Sequence, residues 1–184
     1  MNILIINGHQ KTDFAPGKLN RTLVNEMKKF FGRKKSNKIK TTTIQRGYNP
    51  ETESKKFKWA DVVIYQFPVY WFSVPALFQQ YMQDVYAYGR FYQTTDKPYG
   101  QGGLLQGKKY MFSSTWNAPA NAFGDGFWKG IPNPDSALIH LHKVQQFIGL
   151  TALPCFSCHN VIKNPQIKEY LTNLKKHLIA VFGK

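Results

Sequence analysis

The chain opens on Asn2-Ile3-Leu4-Ile5-Ile6, a continuous apolar run that ends in Asn7-Gly8, the pattern of a strand buried on both faces. Past a loop with Pro16 and Gly17, Leu19, Leu23, Met27, Phe30 and Phe31 recur at helical spacing and predict a helix that ends at Gly32. Lys38 to Gln45 alternates, with Ile39, Thr41 and Thr43 against Lys40, Thr42 and Ile44, which predicts an outer strand. A short helix with Phe57 and Trp59 follows, and Asp61 to Gln66 predicts a second buried strand.

Further on, Leu77, Phe78, Tyr81, Met82 and Val85 mark a helix, with Ser73 and Pro75 suited to its first turn. Lys109 to Ser114 predicts a fourth strand, Asp135 to Ile148 a helix closed by Gly149, and Thr151 to Cys158 a fifth strand. Asn164 as a cap and Pro165 behind it open a last helix, whose Ile167, Leu171, Leu174, Leu178, Val181 and Phe182 face the core and which Gly183 ends. Strands alternating with helices of this length form a parallel sheet with right-handed crossovers. The expectation is an α/β fold over residues 1–184 as a single domain. Its five-stranded parallel sheet takes the flavodoxin-like order 2-1-3-4-5, with helices on both faces.

With 184 residues, 42% of them hydrophobic, the chain can bury a core without disulfides or metal, and its two cysteines could not supply a disulfide framework. The charge of +15 suits nucleic acid, anionic membranes or phosphorylated small molecules alike, so position has to decide. The lysines fall mostly at helix ends and on solvent faces, while the aromatics gather in loops. A nucleic-acid surface would interleave the two, so no nucleic-acid partner is expected. A flavodoxin-like electron carrier binding FMN docks through an acidic face, which +15 disfavours. No apolar run reaches the roughly 20 residues of a membrane span, and Met1 leads into a run too short for a signal peptide. The expectations are no membrane span and a cytoplasmic location.

In a doubly wound sheet the ligand lies beyond the carboxyl ends of the strands where strand order reverses, here the loops Gly8 to Lys18 and Phe67 to Val74. The first is small and polar. Gly8 and Gly17 permit close backbone approach, Thr12 and Lys18 can donate, and a helix N-terminus follows, so a phosphate fits. Neither G-x-G-x-x-G nor G-x-x-x-x-G-K-[ST] is present, which weakens dinucleotide-fingerprint and triphosphate readings. The second loop places Tyr70, Trp71 and Phe72 in succession after Pro68, where they cannot all share one core, so either a planar ring stacks there or the patch is an interface. Thr115-Trp116-Asn117-Ala118-Pro119 leaves strand four on the same edge, and Pro119 to Ser136 is long enough to serve as a lid.

Cys155-Phe156-Ser157-Cys158-His159 matches the c-type haem sequence C-x-x-C-H, but at a strand end the two cysteines point to opposite faces, and a low-pKa thiol would need a helix N-terminus. His140 and His142 lie two apart on a helix, do not share a face and have no carboxylate cluster beside them, so no metal site is expected. There is no G-x-S-x-G elbow, and no residue stands out as a catalytic acid or base.

Asn2 to Gly8, Gly17-Lys18-Leu19-Asn20, Trp59 to Ile64, Tyr99 to Leu104, Gln106 to Met111 and Thr115 to Pro119 together resemble the modulator of drug activity B family. Its members are NADPH:quinone reductases of flavodoxin-like fold. Phe67 to Ala76 is also similar to the flavin loop of the wider FAD-dependent quinone reductase superfamily. Val69 and Tyr70 stand where a Gly-Trp pair is common in the family. The resemblance implies a homodimer with tightly bound FAD and NADPH as hydride donor, reducing a quinone by ping-pong transfer. It places Ala15, Pro16, Gly17, Lys18, Leu19, Asn20, Arg21 and Thr22 around the diphosphate. Pro68, Val69, Tyr70, Trp71 and Phe72, with Thr115, Trp116, Asn117 and Ala118, would lie along the flavin, and Tyr99 also at the cofactor. Tyr70, Trp71 and Phe72 would then shape the quinone slot.

Overall fold

Along the first strand, Ile3 and Ile5 pack into one apolar layer and Leu4 and Ile6 into another, and all four are fully buried, as an unbroken apolar run requires. The computed structural model describes residues 1–183. In chain order these form β1 (Asn2–Asn7), α1 (Lys18–Gly32), β2 (Lys38–Thr43), α2 (Pro50–Trp59), β3 (Val62–Pro68), α3 (Ala76–Val85), β4 (Lys109–Thr115), β5 (Phe123–Gly124), β6 (Trp128–Lys129), α4 (Pro134–Ala137), α5 (Ile139–Phe147), β7 (Thr151–Ala152), β8 (Phe156–Cys158) and α6 (Ile167–Phe182). The main sheet runs β2-β1-β3-β4-β7, with β8 also on β4, and every one of these pairings is parallel. The flavodoxin-like order therefore stands, with the fifth strand in two pieces. One layer holds α1 and α6, packed through Leu23, Met27, Phe31, Leu174 and Leu178; the other holds α2, α3 and α5.

Several elements depart from the sequence expectation. The predicted strand Thr151 to Cys158 breaks because Pro154 has no amide to give the ladder. Leu153 still donates to the Tyr110 carbonyl at 2.7 Å, and the Phe112 amide turns to the Cys155 thiol at 3.3 Å. The predicted helix Asp135 to Ile148 divides at the buried Leu138, whose ψ of 21° leaves helical geometry. Lys38 to Gln45 is strand only to Thr43, after which Ile44–Arg46 turn as a 3₁₀ segment. Asn164 and Pro165 do not open the last helix. Asn164 closes a turn back to the Asn160 carbonyl, and α6 starts at Ile167, which is 41% exposed rather than facing the core. Tyr170 takes the first buried position instead, its hydroxyl donating to the His159 carbonyl at 2.6 Å. Ser73 does not cap α3; it meets His140 Nε2 at 3.1 Å.

At the carboxyl edge of the sheet a chain of buried polar side chains crosses three elements. The Ser113 hydroxyl donates to Gln66 Oε1 at 2.7 Å, Gln66 Nε2 donates to Asn20 Oδ1 at 2.7 Å, and Asn20 Nδ2 donates to Thr115 Oγ1 at 3.4 Å. It ties the first turn of α1 to β3 and β4 inside the apolar interior, where each member needs its partner. Gln66→Leu leaves the Asn20 carbonyl without its donor and the Ser113 hydroxyl without its acceptor, and the expected loss is about 2–4 kcal/mol in urea unfolding.

Candidate functional site

Three loops leave the carboxyl ends of β1, β3 and β4 side by side. The first follows Gly8, whose amide donates to the Gln66 carbonyl at 2.8 Å and where a Cβ would lie 2.3 Å from the Phe78 ring. Thr12 and Ala15 close a tight turn through reciprocal backbone bonds of 3.2 Å, and the Thr12 hydroxyl also accepts from the Ala15 amide. Gly17 at φ 74° begins α1 and offers no side-chain cap, and the first helical bond runs from the Arg21 amide to the Gly17 carbonyl. The amides of Lys18, Leu19 and Asn20 thus head the helix with no acidic side chain in its first turn, an arrangement that attracts an anion.

Sequence reasoning missed His9, which is 2% exposed and shapes this loop. Its ring lies against Gly17, where a Cβ would come within 2.3 Å of it, and its Nε2 is 2.9 Å from the Ala15 carbonyl. Burial is the largest influence on its pKa and holds it below the ordinary 6.5, with Arg21 adding to the effect and the Ala15 contact opposing it. The neutral ring then donates from Nε2 to Ala15. No periodicity marked this residue, because the contact depends on how the loop folds back.

The second loop is a tight turn. Tyr70 and Ser73 exchange backbone bonds of 2.9 and 3.0 Å, and the two central residues, Trp71 and Phe72, have φ of 47° and 63°. Positive φ at both central positions is the mark of a type I′ turn, which ordinarily takes Asn and Gly; bulky residues there cost about 1–3 kcal/mol each. The strain holds Trp71 94% exposed, while Phe72 packs edge-on to Trp128 with ring centroids 4.8 Å apart and lies near Phe127. Tyr70 is half-buried and braces the two loops, its hydroxyl donating to the Gln10 carbonyl at 3.1 Å. Val69 anchors the turn through its amide to the Thr115 carbonyl.

In the third loop Trp116 is 2% exposed, with its indole N–H on Ser114 Oγ at 2.8 Å and its ring edge-on to Phe123. Its amide donates to the Cys158 carbonyl at 2.8 Å and its carbonyl accepts from the Val161 amide at 3.1 Å, so it supports the loop by packing rather than facing a ligand. Asn117 is exposed and Ala118 half-buried, and their amides make no hydrogen bond among the described residues. The segment Pro119 to Ser136 is folded down rather than open, with Phe123 and Trp128 stacked at 8° over the indole of Trp116.

Of the expected cofactor residues, Ala15, Pro16, Gly17, Lys18 and Leu19 line the first loop and helix start, and Arg21 is exposed beside them. The side chains of Asn20 and Thr22 are engaged elsewhere, Asn20 in the buried polar chain and the Thr22 hydroxyl on the Lys18 carbonyl at 2.9 Å. Pro68 is the last residue of β3, paired with Thr115. Tyr99 is set apart. It is 97% exposed and lines a cavity of about 570 Å³ with Tyr86, Tyr92, His140 and Phe147, which none of the other expected cofactor residues lines. The C-x-x-C-H cysteines are free, in opposite layers, and burial pushes both thiols up to about 12, the reverse of a reactive dithiol. Beside the helix histidines, where no carboxylate cluster was expected, a single carboxylate stands, Asp135 Oδ1 at 3.7 Å from His142 Nε2.

Two consequences are measurable. Gly17→Ala should destabilise the protein by about 1–3 kcal/mol, and the loss should shrink in a His9→Ala background, a coupling that denaturant unfolding of the double-mutant cycle reads directly. Because the folded-state pKa of His9 is depressed, its contribution is fully present above pH 6.5 and is lost as pH falls through the lower folded value. Stability should therefore decline below pH 6.5, and less steeply in His9→Gln.

The family model for the flavodoxin-like fold matches residues 1–178. NADPH:quinone oxidoreductase MdaB of Haemophilus influenzae is 41% identical over 196 residues, covering 100% of both chains. Human ribosyldihydronicotinamide dehydrogenase [quinone] is 41% identical over 71 residues, 39% of this chain and 30% of that protein. Among solved structures, general stress protein 14 of Treponema denticola in complex with FMN superposes with a TM-score of 0.73 at 18% identity, over 97% of this chain and 98% of that one. The sheet order, the three converging loops and these likenesses place the chain in the flavodoxin-like fold family, on the branch of the modulator of drug activity B oxidoreductases.

Proposed function

We propose that the protein is an FAD-dependent NAD(P)H:quinone oxidoreductase that takes hydride from NADPH, reduces quinones by two electrons in a ping-pong cycle and works as a cytoplasmic homodimer of single-domain chains. The observation that carries this reading is the convergence of an uncapped, acid-free helix start with a strained aromatic turn at one sheet edge. The full-length likeness to a NADPH:quinone oxidoreductase supports it. Among the described residues no helix is long and apolar enough to cross a membrane.

The residues present suit a flavin dinucleotide. The amides heading α1, with Lys18 and Arg21, would hold the diphosphate, and Ala15, Pro16 and Gly17 let it approach the backbone. Beside them Arg21, Lys28, Gln45 and Arg46 line a cavity of about 190 Å³, which gives room beyond a first phosphate and favours FAD over FMN. The amides of Trp71, Phe72, Asn117 and Ala118 make no hydrogen bond among the described residues and would donate to the ring carbonyls, steadying negative charge on the reduced ring. Bound there, the flavin supplies the hydride chemistry for both half-reactions.

The rest falls to the chain. Trp71 offers the exposed flat face of the quinone slot, Phe72 and Phe127 would exclude water from its side, and Tyr70 fixes the turn against the first loop. Tyr99, exposed and away from the other cofactor residues, would meet the cofactor of a second copy, which is the reason for proposing a dimer whose site is completed in trans.

The test is the absorption spectrum of the purified protein, recorded aerobically, anaerobically with NADPH, and after a benzoquinone is added, with chromatography of the released flavin. Bands that bleach and return, with FAD released, are expected. A colourless protein that takes up no flavin overturns the reading, and release of FMN alone overturns the choice of FAD.

A further inference from the structure

We propose that Asp135, His142 and Cys155 form a binding site for one zinc ion, on the sheet face covered by α5. One carboxylate oxygen, one imidazole nitrogen and the thiol sulfur all lie within 4.8 Å of one another, and His142 Nε2 is 3.7 Å from Asp135 Oδ1. Ligand atoms around a tetrahedral zinc, at about 2.0–2.3 Å from the metal, sit roughly 3.3–3.8 Å apart, so a small rotation of the half-exposed Asp135 closes the set. A thiolate, an imidazole and a carboxylate, with one position left for water, is a zinc donor set rather than a magnesium or calcium one.

His142 is oriented for the task. Tyr110 Oη lies 2.6 Å from its Nδ1; with the proton on Nδ1 the ring donates to the phenol oxygen and leaves the Nε2 lone pair free for a metal. That Nε2 is buried and, among the described residues, is the one buried side-chain nitrogen or oxygen with no hydrogen-bond partner. Asp135 Oδ1, at 3.7 Å, is too far to serve as an acceptor, and a buried polar atom left unpaired is costly. An ion at the centre of the three donors resolves it.

The two breaks in the fold serve the same cluster. The division of the predicted long helix at Leu138 lets Asp135 on α4 stand beside His142 on α5. The division of the fifth strand at Pro154 turns Cys155 out of the ladder, into the layer that contains α5, while Cys158 stays in the other layer. The exposed edge of Asp135 provides the route in. On coordination the thiol proton passes to solvent and the sulfur binds as thiolate. The ion would clamp α5 to the β7–β8 break, and α5 carries His140, which meets Ser73 of the aromatic turn.

The probe is zinc alone, added to the purified full chain after EDTA treatment under reducing conditions and followed by competition with a chromophoric chelator. The expected result is one equivalent per chain, with an X-ray absorption shell of one sulfur at about 2.3 Å and nitrogen or oxygen at about 2.0–2.1 Å. Cys155→Ser removes the sulfur scatterer and weakens binding by at least about tenfold, and Asp135→Asn, at a half-exposed position that leaves the core intact, also weakens it. Cys158→Ser binds as the parent does. No stoichiometric uptake by the parent chain, a shell without sulfur, parent-like affinity in both Cys155→Ser and Asp135→Asn, or equal loss in Cys158→Ser each overturns the proposal. None of these readouts depends on flavin or quinone.

Discussion

The geometry of the candidate site depends on one buried chain of hydrogen bonds, from Ser113 through Gln66 to Asn20 and on to Thr115. β1, β3 and β4 are tied by their ladder, but α1 would otherwise rest on β3 and β4 through apolar contacts, which are non-directional and permit sliding. A polar chain in a low-dielectric interior does not permit it, because any shift leaves a donor or acceptor unpaired. It sets the first turn of α1 at a defined height above β3 and β4. The amides heading α1, the aromatic turn after Pro68 and the loop after Thr115 therefore meet at one place.

Around that anchor the chain accepts local disadvantage where a ligand would use it. Gly17 starts α1 without a capping oxygen, and its φ of 74° together with the His9 ring leaves no room for the Ser or Asp that would ordinarily supply one. Trp71 and Phe72 occupy positions of positive φ that suit Asn and Gly. Trp71 stands almost entirely in solvent. Strain and exposure together are what a preformed stacking face requires, since a relaxed turn would let the indole fold onto the protein. A cavity of about 610 Å³ among Met1, Phe30, Phe31, Lys175 and Phe182 lies at the opposite, amino edge of the sheet and shares none of these features.

The alternating strands and helices were readable because burial on both faces imposes a continuous apolar code on β1 and β3, and burial on one face imposes helical spacing on α1 and α3. The polar and aromatic loops could be located from the same pattern, since parallel sheets bind ligands at their carboxyl edge. What misled was punctuation. Pro165 looked like a helix start and Pro154 lay inside a strand-like run, yet the first follows a turn that Asn164 closes onto the Asn160 carbonyl and precedes α6 by two residues, and the second breaks the strand. Proline restricts its own φ but does not say which side of it the element lies on.

From the sequence alone came the α/β order, the sheet edge that carries the site and the candidate residues of each loop, because these follow from periodicity and composition, which are properties of neighbours along the chain. Only the tertiary structure decided which of those side chains remain free. It placed Trp116 in the core, engaged Asn20 in the buried polar chain, set Tyr99 in a separate cavity and stood His9 against Gly17. It also brought Asp135, His142 and Cys155 together. The physical reason is common to all of them: a side chain's availability is determined by contacts between residues distant in sequence, and no local pattern encodes those.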